Sequence, residues 1–168
     1  MIMPERLPEV VDPVAFSEKR RRLAGSIPVS RLDRLEGLVL DPSGQVEVEL
    51  VFSKSGRIPV VEGTVKAQLT LECQCCLGPI DWPVESHLNL GIVSSVDAAV
   101  ALPERLEALM VDPGAEVALA DIVQDELLLA IPAVPQHPNC RLPKAADPMP
   151  ERPNPFADLA RLKTKSSS

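Results

Sequence analysis

The chain predicts an α+β domain, a twisted antiparallel β-sheet with a long Cys-tipped hairpin, packed by short helices. Three observations point there. Between residues 46 and 92 apolar side chains alternate with polar ones, the pattern of strands with one buried face and one wet face. From Leu119 to Ala130 the apolar spacing changes to that of a helix. The segment Cys73-Gln74-Cys75-Cys76 falls between two alternating runs, which makes it the tip of a hairpin. The domain is assigned to residues 1–142. A proline-rich linker and a short C-terminal helix follow at 143–168.

Taken in order, residues 1–13 read as extended and anchored by prolines. Residues 14–24 predict a short helix with Lys19, Arg20, Arg21 and Arg22 on one side and Val14, Phe16 and Leu23 apolar. A second short helix is expected over Val29 to Leu35, with Ser30 as its cap. Asp41-Pro42-Ser43-Gly44 is a turn sequence. Val46, Val48, Leu50 and Phe52 form one face of a strand, and Ser55-Gly56 turns the chain into the apolar run Ile58 to Val61. Val65, Ala67, Leu69 and Leu71 continue the alternation before the cysteines, and Ile80, Trp82, Val84, Leu88, Leu90 and Ile92 resume it afterwards. The expected sheet has about five strands around residues 38–92, covered by the N-terminal helices and the 119–130 helix. Residues 102–110 predict one or two helical turns. Pro132 and Pro135 end the helix that starts at Leu119. In the tail, Asn154 caps a final helix, Pro155 takes its first position, and Phe156, Leu159 and Leu162 form its apolar stripe. That helix is expected to dock on a partner.

Composition narrows the function. At 168 residues and 45% hydrophobic content the chain can build a core, but aromatics are only 2%, so the core must be aliphatic. No stretch approaches the roughly 20 apolar residues of a membrane span. The proline-rich, acidic N-terminus is unlike a signal peptide, so a cytoplasmic location with reduced thiols is expected. The net charge of −7 argues against a chain-wide RNA-coating surface. The charge is also segregated: residues 103–128 are acidic, whereas Lys19 to Arg22 and the tail lysines Lys163 and Lys165 are basic. The basic run suits phosphate contact with RNA, although a solvated helix face is the plainer account.

Cys73, Cys76, His137 and Cys140 combine a C-x2-C with an H-x2-C, a complete soft ligand set for one tetrahedral structural Zn²⁺. The plain alternative is that these cysteines are small buried hydrophobes. Cys75 should point away from its neighbours. A thiol-redox role fits less well, because the attacking cysteine of such enzymes begins a helix and here a strand follows. With two histidines and eight glycines, the chain has no hydrolase motif and no glycine-rich phosphate loop. Neither an active site nor a small-molecule substrate is expected.

Four stretches together resemble the YceD family. They are Leu71 to Leu77, with its Leu-Glu-Cys-x-x-Cys-Leu; Asp125 to Pro132; Val134-Pro135 with His137 and Cys140; and Asn154 to Lys163. Asp12-Pro13 and the basic stretch after it are also similar, so the resemblance runs through nearly the whole chain. It implies a non-catalytic factor promoting accumulation of 23S ribosomal RNA and hence large-subunit production, with rRNA or ribosome-assembly proteins as partners. Cys75 departs from the family pattern, which usually has a basic residue there, and neither Gln74 nor Cys75 replaces a cation. The competing reading is a zinc-stabilised protein-interaction module without RNA contact.

Overall fold

Val46, Val48, Leu50 and Phe52 are completely buried along one face of a single strand, as their alternation requires. They belong to a computed structural model that describes residues 6–141 and Phe156. The expected linker at 143–153 and the final helix, with Asn154, Pro155, Leu159, Leu162, Lys163 and Lys165, lie outside the described residues, as do residues 1–5.

The elements run in the order β1 (Val10–Val11), α1 (Pro13–Glu18), β2 (Arg22–Pro28), β3 (Gln45–Ser55), β4 (Ile58–Glu72), β5 (Pro79–Val93), α2 (Val96–Val100), β6 (Glu107–Met110), β7 (Val117–Ala118) and α3 (Leu119–Ala130). The main sheet has the order β2-β3-β4-β5-β6. Its first three pairings are antiparallel and the last, β5 with β6, is parallel. A second, two-stranded sheet pairs β1 with β7 antiparallel. The α+β class therefore holds, with one parallel strand added to an otherwise antiparallel main sheet.

The β4–β5 hairpin dominates. Each strand has 15 residues, and pairing runs from Val60 opposite Gly91 to Glu72 opposite Pro79. The apolar run Ile58 to Val61 and the alternating stretch beyond it are one continuous strand. Glycine at position 63 makes that continuity possible, because a Cβ there would lie 2.0 Å from the Glu49 carbonyl oxygen and 2.9 Å from Leu50. At the opposite end of β4, Gly56 takes a left-handed φ of 63° and closes the tight β3–β4 turn.

α3 packs on the inner face of the sheet, against β5 and β4. Leu119, Ile122, Val123 and Leu127 are buried in the shared core. One polar contact fixes its position: Ser86 Oγ of β5 donates to Glu126 Oε2 at 2.7 Å, which satisfies a carboxylate that is only 7% exposed. The connection from β5 to β6 covers the outer face at its far end, where Leu102 and Leu106 press on Gly91. Among the described residues, no helix is long and apolar enough to cross a membrane.

Three expectations are corrected. The helix expected over 14–24 stops at Glu18. Asp12 caps it by accepting from the Ala15 N–H at 2.9 Å and Pro13 occupies the first turn, but Arg20 then takes φ 49° and Arg22 enters β2 opposite Val51. Leu23 is buried through sheet pairing, which outweighs the helical propensity of the basic run. The second helix is two single 3-10 turns, Val29–Arg31 and Asp33–Leu35, and Ser30 lies inside the first without capping it. The helical turns expected at 102–110 are instead the strand β6, preceded by a loop from which Leu106 enters the core side of the crossover.

Candidate metal centre

The hairpin tip is built by backbone hydrogen bonds before any side chain is considered. The Cys73 N–H donates to the Gly78 carbonyl at 2.8 Å, and the Leu77 N–H donates to the Cys73 carbonyl at 2.9 Å. This tight loop turns Cys73 and Cys76 toward the same side. Leu77, just past the second cysteine, takes φ 59°, an unusual conformation for a branched residue that the loop enforces. The partner segment is also ordered by its backbone. Asn139 takes φ 58°, which asparagine tolerates, and the Cys140 N–H reaches the His137 carbonyl at 3.2 Å. The two halves are tied by the Gln74 N–H, which donates to the Pro135 carbonyl at 2.8 Å.

The four residues that spacing singled out do meet. One ligand atom from each of Cys73, Cys76, His137 and Cys140 lies within 4.8 Å of all the others. Cys73 Sγ is 3.7 Å from Cys140 Sγ, and Cys76 Sγ is 3.5 Å from His137 Nδ1. A tetrahedron with Zn–S near 2.3 Å and Zn–N near 2.05 Å has edges of about 3.75 Å between sulfurs and about 3.55 Å from sulfur to nitrogen. Two observed edges match these values, and no other edge exceeds them by more than about 1.3 Å.

The imidazole is oriented for the same task. His137 Nε2 lies 3.1 Å from the Pro79 carbonyl oxygen, which can only accept, so Nε2 carries the proton and Nδ1 keeps its lone pair toward the thiols. Sequence gave no sign of this contact, because the partner is a backbone carbonyl.

Electrostatics favour a cation. Burial pushes the Cys73 thiol up, but the backbone N–H groups of Cys76, His137 and Cys75, with the His137 ring, outweigh it and hold the group at about 5. Cys140 is pushed strongly upward by the neighbouring Cys75 thiol first, then by burial and by Cys73 and Cys76. Crowded sulfurs resist ionising together, and a bound divalent cation removes that penalty. Cys75 is therefore not turned away as expected: it is half-buried against the core edge, next to Cys140. Cys73 is fully buried, whereas Cys76 lies at the surface.

Among the described residues, the basic run Lys19 to Arg22 does not gather here. Lys19 closes α1, Arg21 lies 5.3 Å over the Phe16 ring, and Arg22 begins β2. Arg22 shares a cross-strand row with Val51 and Glu62, ten positions before Glu72 along β4, which places the basic run about 33 Å from the hairpin tip. Phe156 is exposed. Sequence reading also missed the bridge from the 3-10 turns to α3, where the Arg34 N–H donates to Gln124 Oε1 at 2.8 Å and the Arg34 guanidinium pairs with Asp125. Gln124 is buried, and a polar residue on an apolar helix face was the available signal.

Comparison with known proteins adds to this geometry. Residues 61–163 match the family described as Large ribosomal RNA subunit accumulation protein YceD. The Large ribosomal RNA subunit accumulation protein YceD of Haemophilus influenzae (strain ATCC 51907 / DSM 11121 / KW20 / Rd) is 32% identical over 170 residues, covering 95% of this chain and 98% of the relative. No solved structure matches the chain.

Proposed function

The chain belongs to the YceD family, and from that premise we propose that it promotes accumulation of 23S ribosomal RNA, and so large-subunit production, as a non-catalytic cytoplasmic factor. The observation that carries this reading is the 32% identity, sustained over 95% of the chain, to a relative named for that accumulation. Cys73, Cys76, Cys140 and Nδ1 of His137 hold one structural Zn²⁺ in this reading. The ion supplies a cross-link between the hairpin tip and the segment 135–140, and closed four-ligand sites of this type stabilise folds without activating water.

The residues that approach rRNA phosphate are Lys19, Arg20, Arg21 and Arg22 at the sheet's far end, with Lys163 and Lys165 of the tail. Asn154, Pro155, Phe156, Leu159 and Leu162 dock on an assembly protein. The test is the ratio of large- to small-subunit rRNA in cells lacking the gene, with complementation by the wild type and by an Arg20→Gln, Arg21→Gln, Arg22→Gln variant. The reading expects a lowered ratio, restored by the wild type and only partly by the variant. A normal ratio without the gene contradicts it.

One observation favours the second reading, a zinc-stabilised protein-interaction module without RNA contact. The basic run is not a helix face: Arg21 lies over Phe16, and the backbone of Arg22 is already extended in β2. Ionic strength separates the two readings, because contact with phosphates makes affinity fall steeply with salt.

A further inference from the structure

β6 is an edge strand with a groove beside it. Among the described residues it pairs with β5 on one side only, which leaves the backbone N–H and C=O groups of its other side without a strand partner. Next to it, on the face that carries α3, lies a groove of about 330 Å³ lined by residues that include Leu90, Leu109, Ile122 and Leu129. Leu129, in the groove lining, is 76% exposed, so apolar surface here is uncovered. The accessible rim is acidic, with Glu107 from the strand and Asp125 from the helix, while Glu126 lines the groove from within, buried and held by Ser86. Arg34 is the cation among the lining residues, and it is already paired with Asp125. Glu104, Asp112, Glu116 and Asp121 surround the site in sequence, whereas Arg105 is directed to Ser55 Oγ at 2.8 Å.

We infer that this edge is a docking site for an extended basic segment of a partner protein, added as a further strand alongside β6. Strand addition supplies backbone hydrogen bonds, and alternate side chains supply specificity. The register of β6 defines the pattern. Glu107 and Leu109 pair with Leu90 and Ile92, so they share the inner face beside the groove. The incoming strand therefore places lysine or arginine opposite Glu107 and, two residues away, an apolar side chain opposite Leu109. An RNA strand is disfavoured because phosphate would meet the acidic rim. A second copy of the chain would bring the same acidic rim against itself.

The surface stands on its own observations, so its test is independent of rRNA levels in cells. The probe is a fluorescein-labelled peptide repeating Lys-Thr-Val-Thr, added to the full chain, with binding followed by anisotropy and amide exchange. The expected result is slowed exchange across Glu107–Met110, with affinity reduced about fivefold to tenfold by Glu107→Lys. N-methylation of alternate peptide amides should abolish binding, because it removes the donors that strand addition requires. Equal binding by the N-methylated peptide, or protection confined to other segments, overturns the assignment. So does stronger competition by single-stranded RNA than by unlabelled peptide. Faster exchange of Glu107–Met110 in an Arg161→Glu, Lys163→Glu, Lys165→Glu variant without added peptide would make the chain's own C-terminal segment the occupant, and would equally overturn the partner assignment.

Discussion

The two ends of the β4–β5 hairpin are held by different physics. At the tip, four ligand atoms within 4.8 Å and a short run of backbone hydrogen bonds fix the loop against segment 135–140. At the far end, apolar packing does the work: Phe52 is completely buried and meets Phe16 edge-on at 5.3 Å, and the crossover presses on Gly91. The charges divide along a second direction. The basic run leads into edge strand β2, and the acidic groove lies beside β6 at the opposite edge, about 19 Å away across four strand spacings. The Cys/His cluster at the tip is thus set apart from both charged edges, so that one can be altered with little effect on the others.

The largest effect should come from breaking the tip. Cys73→Ala, or stripping the wild type with a chelator, is expected to remove bound zinc and lower the melting temperature by about 10 °C or more, read by calorimetry with elemental analysis. Phe52→Ala attacks the other end. It should cost about 3–5 kcal/mol in denaturant titration while zinc stoichiometry stays at the wild-type value under native conditions. If Phe52→Ala also loses the metal while folded, the two ends are not independent. Between the ends, Ser86→Ala leaves Glu126 buried without its hydroxyl partner, and stability should fall by about 1–3 kcal/mol. The smallest change is Asp12→Ala, which removes the α1 cap for about 1 kcal/mol and should leave both zinc content and peptide binding unchanged.

Much of this arrangement was legible in the chain because it rests on local rules. Period-two alternation placed β3, β4 and β5, and the helical spacing of Leu119, Ile122, Val123 and Leu127 placed α3. The meeting of Cys73, Cys76, His137 and Cys140 was legible because paired donors three positions apart in turn-forming contexts carry a definite chemical meaning. The misreadings share one cause, tertiary pairing that overrides local preference. Arg22 and Leu23 look helical after Ser17-Glu18, yet seven residues of pairing with β3 hold them extended. Glu107 to Met110 has too few residues to display a period, and only the parallel partner β5 makes it a strand. Cys75 looked isolated because its neighbour Cys140 is distant in sequence. The proton on His137 Nε2 was invisible for the same reason, since Pro79 offers only its carbonyl.

X-ray absorption at the zinc edge of the purified full-length protein probes the cross-link most directly. The predicted coordination shell contains three sulfurs at about 2.3 Å and one nitrogen at about 2.0–2.1 Å, with one ion per chain. A preparation without metal, or a shell of oxygen and nitrogen without sulfur, would contradict the union of hairpin and C-terminal segment through a zinc ion.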